Sequence, residues 1–360
     1  MDVLEERSAR PLIVTADESL LDDLLRLAAA AGTVPEVASD ITAARRAWTA
    51  AGAVVVGADF AAAVAEVRLP RRDGVVIVAG LPPDGRTWAH AVALGAAEVH
   101  TLPEAQGALI DLFGDCLEGS GAEATTVSVI GSCGGSGATT FAVALAMTSA
   151  GAARPTLVVD ADPVGGGIDL VVGAEHAPGV RWPELAGTSG RLSAASLSDA
   201  LPKLGDLSML SHDRAEAVPI AAAAMRSVLA AGRRGHELVV VDLPRRLDPA
   251  AEEAVVRSEL MLMIVPAEVR AVAAASRVLA SVRELAPRLG LVVRGPGPGG
   301  LRVEQIEESL GVPVWALMRA DKSLGPALDE GLGPLRRRRG PLAACCRAVL
   351  GQLAAREAAA

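Results

Sequence analysis

A chain of 360 residues, 51% hydrophobic but only 2% aromatic and without a single tyrosine, is long enough for two ordinary domains and must fill its cores with Ala, Val and Leu rather than rings. Its net charge of −9 argues against a protein whose main task is coating nucleic acid, an affinity that comes from neutralising phosphates with Lys and Arg. Cys116, Cys133, Cys345 and Cys346 show no metal-ligand spacing, so a reduced cytoplasmic compartment is expected, and neither a signal peptide nor a membrane-spanning run is visible.

Residues 11–115 alternate strand and helix signals: "PLIVTAD", "SLLDDLLRLAAAAG", "PEVAS", "ITAARRAWTAAG", "AVVVGAD", "GVVIVAG", "TWAHAVALGA" and "EVHTLP". Five short strands, with helices that open on Ser, Asp or Thr and close near Gly, predict a flavodoxin-like doubly wound sheet. The polar stretch "LEGSGAEAT" then marks a boundary, giving a first domain at 1–118, a linker at 119–125 and a second domain at 126–360. The first domain resembles the response-regulator receiver. That resemblance implies an acidic pair after the first strand, a phosphoacceptor Asp after the third, a hydroxyl after the fourth and Lys before Pro after the fifth. Here Asp17 and Glu18 stand as acidic remnants, Asp59 comes late, Ala79 occupies the hydroxyl position and Leu102 precedes Pro103. The expectation is a receiver-like domain without phosphoacceptor chemistry, in which Asp17, Glu18 and Asp59 serve as loop and cap residues.

From residue 126 the order is strand "TVSVI", loop "GSCGGSGATT", helix "TFAVALAMTSAG" and strand "TLVVDAD". Gly134, Gly135 and Gly137 let backbone N–H groups converge on an anion, and a helix starting near Thr139 presents its positive end to it. Gly-rich turns of this kind also occur in doubly wound folds that bind nothing. What favours a nucleotide is the series of carboxylates on later strand ends: Asp160 and Asp162 after "TLVV", and Asp242 after "ELVVV".

The block resembles the deviant Walker A ATPases, the ParA and MinD group, whose loop reads K-G-G-x-G-K-[ST]. On that pattern Cys133 stands at the signature lysine and Ala138 at the second lysine, and both cations are missing. The resemblance implies a P-loop domain with a mainly parallel sheet, binding ATP and Mg2+. It places Gly134, Gly135, Gly137, Ala138, Thr139 and Thr140 around the nucleotide, Thr139, Asp160 and Asp242 about the metal, and Asp162 at the attacking water. Losing the lysines implies weak binding and slow or absent hydrolysis unless an arginine substitutes, with Arg245 and Arg246 nearest in sequence. Where many relatives have Asn to read the adenine, Arg294 follows "LVV", and "GPGPGG" follows it. Cys133 lacks a partner for a reactive or iron-sulfur role, and His100, His176, His212 and His236 read as isolated surface or loop residues.

A receiver-like domain before such an ATPase domain resembles the CpaE/TadZ group, with "DADPVGGGIDLVVGAEHAPGVRWPEL" as the best local match. The resemblance implies a positioning protein or assembly scaffold, at a cell pole for pilus or secretion assembly or at the division septum. Its expected partners are a second copy of the chain and proteins of those machineries. An active MinD-like switch is the alternative, and a ParA-like DNA-partition ATPase the third, which would need a basic surface such as "RRRRG" at 336–340. The C-terminal "PLAACCRAVLGQLAAREAAA" places Leu342, Cys345, Cys346, Val349, Leu350 and Leu353 at helical spacing. It fits core packing better than the membrane-surface helix of MinD-like proteins, although peripheral membrane association stays open.

Overall fold

Runs of Val, Ile and Leu become the central strands of two mainly parallel sheets and are buried on both faces, as continuous rather than alternating apolar patterns require. The computed structural model describes residues 10–67, 69–72, 74–116, 124–188, 192–215, 217–336 and 339–357. The chain divides into two compact units, Met1–Ala122 and Glu123–Ala360. Most of the expected linker, 117–123, lies outside the described residues, as do 337 and 338 of the arginine run.

In the first unit β1 (Leu12–Val14), β2 (Glu36–Ala38), β3 (Val54–Gly57), β4 (Val75–Ala79) and β5 (Glu98–Thr101) pair in the order β2-β1-β3-β4-β5, every pairing parallel. This is the flavodoxin-like order expected from the sequence. Asp residues begin three of its helices: Asp17, Asp40 and Asp84 each accept from two backbone N–H groups of the following turn.

The second unit has eight strands: β6 (Thr125–Gly131), β7 (Thr156–Asp160), β8 (Lys203–Leu204), β9 (Leu207–Leu210), β10 (Leu238–Asp242), β11 (Leu260–Pro266), β12 (Leu289–Arg294) and β13 (Val314–Met318). Their order is β13-β12-β11-β6-β10-β7-β9-β8, parallel except for the β8–β9 hairpin at one edge. After β6 the chain moves to one side to build β7, and only later crosses to the other side for β11. The carboxyl end of β6 is thus a switch point, the place where open α/β sheets bind ligands.

The helix after β6, Ala138–Ala150, is buried almost all round because the sheet covers one face and the C-terminal helix, Pro341–Glu357, covers another. Leu342, Cys345, Cys346, Val349 and Leu353 pack in one cluster with Phe141, Ala142 and Leu145. Burial holds the Cys345 thiol up at about 12 and drives that of Cys346 upward as well, so both act as small apolar side chains. Gln352 donates to the Trp315 carbonyl at 2.7 Å, and the Arg356 guanidinium lies 4.6 Å from the Trp315 ring centroid. The helix spends its apolar stripe on the core. Among the described residues no helix is long and apolar enough to cross a membrane.

Phe141 is fully buried at the start of this cluster. Phe141→Ala is expected to cost about 3–5 kcal/mol, read as a lower urea midpoint for the second unit. A change below about 1 kcal/mol would contradict the packing described here.

Candidate functional site

The loop from Ser132 to Gly137 leaves β6 with Ser132 N donating to the Ile264 carbonyl at 3.0 Å, which ties its start to the neighbouring strand β11. Gly135 and Gly137 take φ of +71° and +94°, values that L side chains rarely adopt, so the turn needs glycine at both places. Gly131 is needed for space: a Cβ there would collide with Ser136 Oγ. Gly137 caps the helix and Ala138 begins it, so the helix N-terminus opens onto the loop. Cys133, Gly134, Gly135, Gly137, Ala138, Thr139 and Thr140 line one cleft of about 440 Å³ with Asp162 and Arg245. A second cleft, of about 560 Å³, shares Gly135, Gly137 and Thr140 with it and is walled by Glu268, Arg294, Pro296, Met318 and Asp321.

Asp160 and Asp242 end adjacent strands in direct register, 2% and 3% exposed. Asp160 accepts from Asp162 N (3.1 Å) and Ile168 N (3.2 Å), and its carbonyl accepts from the Trp182 indole at 2.6 Å. The Thr139 hydroxyl beside the Asp242 carboxylate draws its proton affinity down in part, while Asp242 Oδ1 is buried without a partner among the described residues. Burial pushes the Asp160 carboxyl up to about 7. Burial, with the Asp160 charge beside it, pushes Asp242 up to about 8. A carboxylate with an orphaned buried oxygen beside a threonine hydroxyl is a donor set suited to Mg2+, which takes one or two protein oxygens and completes its shell with phosphates and waters. Among the described residues no cluster of three or more His, Cys, Asp or Glu forms a dedicated metal cage. Asp162 stands apart from the buried pair: its Oδ1 accepts from Val164 N at 3.1 Å, and its side chain faces the loop cleft.

Two arginines stand at this loop. Arg294 at the end of β12 donates from Nη1 to the Gly135 carbonyl at 2.8 Å, so it grips the loop backbone. Arg245, three residues beyond the β10 strand, reaches the other side: a Cβ on Gly134 would lie 3.9 Å from its Nη1. Arg246 is exposed and lines neither cleft.

Sequence reasoning missed a buried network beside these groups. Asp169, 1% exposed, receives both ends of the Arg214 fork at 2.8 and 3.0 Å, Arg181 Nε at 3.4 Å and Ser211 Oγ at 3.2 Å. Burial alone would raise its carboxyl, but the Arg214 hydrogen bonds and charge hold it below the usual value. The network fastens the segment after β7 to the segment after β9. Its members lie up to 45 residues apart, so no local spacing announces them. The histidine reading needs correcting too. His212 is buried against Trp182, with ring centroids 6.2 Å apart, and His236 is buried between the Gly232 carbonyl (3.0 Å) and Ser208 Oγ (3.1 Å). Burial holds both below 6.5. Only His176 is fully at the surface, and His100 is half-buried beside Glu98.

In the first unit Asp59 does not end β3 but sits in the first turn of the helix Ala58–Val67. Its carboxylate accepts from Thr15 Oγ1 (2.9 Å), Ala16 N (2.8 Å) and Asp17 N (3.2 Å), fastening the loop after β1. Asp17 in turn caps the next helix, accepting from Ser19 N and Leu20 N. The carboxylates of this end are thus engaged with backbone.

These two units define a P-loop chain of the ParA and MinD architecture behind a CheY-like domain. A family model described as "Rv3660c-like, CheY-like N-terminal domain" matches residues 14–124. The fold of the second unit is shared with a ParA family ATPase from Chlorobium tepidum (TM-score 0.56, 15% identity, 63% of this chain and 97% of that one). It is shared also with the septum site-determining protein MinD of Pyrococcus horikoshii complexed with Mg-ADP (0.55, 18%, 64% and 96%) and with a MinC:MinD cell division complex of Aquifex aeolicus (0.55, 21%, 64% and 96%). Over 341 residues, 94% of this chain and 96% of the relative, it is 42% identical to the uncharacterized protein Rv3660c of Mycobacterium tuberculosis strain H37Rv. The chain belongs to the Rv3660c family.

Two outcomes follow from these geometries. Asp160 and Asp242 hold protons in the folded state that an unfolded chain releases near 3.8, so stability falls as pH rises from about 4, and the loss is complete only above the folded values of about 7 and 8. His212 and His236 act in the opposite sense below about 6.5, so the carboxylates are read cleanly only above that pH. Melting in metal-free buffer should therefore drop between about pH 7 and pH 8, and Asp242→Asn should flatten the drop; a rising curve would refute the assignment. Separately, incubation with acetyl phosphate should leave the intact mass unchanged, and Asp59→Ala should lower stability by about 1 kcal/mol through loss of the Thr15 and backbone bonds.

Proposed function

We propose that this chain is a spatial regulator or assembly scaffold that binds ATP with Mg2+ weakly and hydrolyses it slowly or not at all. The observation that carries the reading is the buried Asp242 carboxylate, one oxygen unpartnered among the described residues, in register with Asp160 beside a glycine loop that has no lysine. Thr139 and Asp242 would hold the metal with Asp160 behind them, the N–H groups of 134–140 would cradle the phosphates, and Asp162 would orient a water. Mg2+ in such a site supplies charge neutralisation of the phosphate oxygens. A charge-assisted contact to phosphate contributes about 1.5–3 kcal/mol, so each missing lysine weakens binding roughly ten- to a hundred-fold. Loss of a cation acting on developing charge typically costs about 10² to 10³ in rate, and two are missing.

The role assigned, positioning at a septum or a cell pole for division or pilus and secretion machinery, rests on the resemblance of the sequence and domain order to CpaE/TadZ proteins and on a fold shared with a septum site-determining protein. A cytoplasmic homodimer with protein partners fits that role, with the two copies meeting across the exposed loop face as nucleotide-dependent switches do. Nucleic acid fits poorly with a charge of −9. The runner-up, an active MinD-like ATPase, is favoured by one observation, the position of Arg245 beside the loop. Calorimetry with ATP and Mg2+ on the full chain, beside a phosphate-release assay, separates the readings. Binding without turnover supports the scaffold, turnover supports the switch, and no binding at millimolar nucleotide sinks both.

A further inference from the structure

We infer that Arg294 and Arg245 are the cations of this site: from the end of β12 and the segment after β10 they supply the positive charge the loop lacks, and the ligand they select is the di- or triphosphate end of a nucleotide. The inference rests on the nucleotide-binding reading and adds to it which residues confer the binding.

The geometry places a guanidinium on each side of the loop. Arg294 Nη1 is fixed on the Gly135 carbonyl at 2.8 Å and would lie 3.8 Å from a Cβ on Gly137. Arg245 approaches Gly134. The two clefts they wall meet at Gly135, Gly137 and Thr140, so a phosphate seated on the N–H groups of that turn has one arginine in each adjoining cleft. Among the described residues neither arginine is taken up by a carboxylate, and the same holds for Arg319 on the wall of the second cleft. Arg154, Arg181, Arg214, Arg226, Arg233 and Arg257 each face a carboxylate within 4 Å. Arg245 and Arg294 face none among the described residues, in a chain with nine more acidic than basic side chains.

An arginine has five donors in a planar fork, so the one N–H spent on Gly135 leaves four for phosphate oxygens. Its charge also persists at any working pH. Asp162, Glu268 and Asp321 stand on the same cleft walls and oppose a bare anion. The favoured ligand is therefore a phosphate chain carried by a nucleoside and a divalent cation. The bond to Gly135 has a second effect. It holds the carbonyl of a turn whose neighbouring N–H groups must point inward, so Arg294 both charges and shapes the cradle.

The test is titration of the full-length chain with fluorescent ADP and ATP analogues in Mg2+, with melting curves to verify folding. Arg294→Ala and Arg245→Ala should each weaken binding about ten- to a hundred-fold. Arg294→Lys should recover part of the loss, and Arg246→Ala should change binding less than about two-fold because it lines neither cleft. Arg294→Gln removes the charge and keeps an amide donor for Gly135, and it serves if the alanine variant melts early. Unchanged or tighter binding by Arg294→Ala and Arg294→Gln, with the wild type binding, would overturn the inference and mark Arg294 as an occupant of the ligand's place, leaving the nucleotide reading intact. Absence of binding by the wild type would overturn both.

Discussion

Two carboxylates in register on neighbouring strands, Asp160 and Asp242, and almost wholly removed from water, set the terms for the rest of the second unit. Burial makes a charge on either one costly, the Asp160 charge adds to that cost at Asp242, and their raised proton affinity expresses this. Nothing about a parallel sheet requires acids there; Val and Ile on either side would pack without cost. The arrangement becomes intelligible if a cation is expected in front of them, and the loop, the threonine hydroxyl and the helix N-terminus are oriented toward that same point. The Asp169 network performs a related service one strand further out. It fixes the chain after Asp160 and Asp162, so the backbone N–H of Ile168 and that of Asp162 remain in place to steady Asp160.

The strands were legible because buried parallel strands carry an undiluted chemical signal: "TLVVD", "LVVVD" and "LMLMIVP" each lie wholly buried. The acids closing two of those runs were legible for the same reason, a polar residue ending an apolar block. The hairpin of β8 and β9 was not, since four- and two-residue strands beside a Gly-Asp turn carry too little periodicity to separate from loop. His212 and His236 were misread because a lone histidine looks identical in sequence whether its neighbours are water or Trp182. Arg294 illustrates a further limit. Its residue type could be read as a departure from a family pattern, but its contact with Gly135, 159 residues away, is a fact of topology alone.

The first unit keeps the CheY-like strand order, and its acids at the carboxyl ends of the strands are engaged within the fold. The acid nearest the expected acceptor position has been recruited as a tie between the first and third strands' loops, its oxygens occupied by Thr15, Ala16 and Asp17. An apolar Leu102 stands where a cation would balance a phosphoryl group. What is retained is a rigid parallel sheet with a helix-covered exterior, an architecture suited to presenting surface rather than to reacting.

The C-terminal helix is the back wall of the helix that opens on the glycine loop, with Cys346 and Val349 fully buried beside Phe141. Any partner or lipid bilayer that claimed the apolar stripe of that helix would strip the support from behind the phosphate-facing turn. In thermodynamic language, docking through this helix and a ligand at the loop would be antagonistic, each lowering the other's affinity by one shared amount. The stripe of this helix and the turn it backs would compete for the same packing.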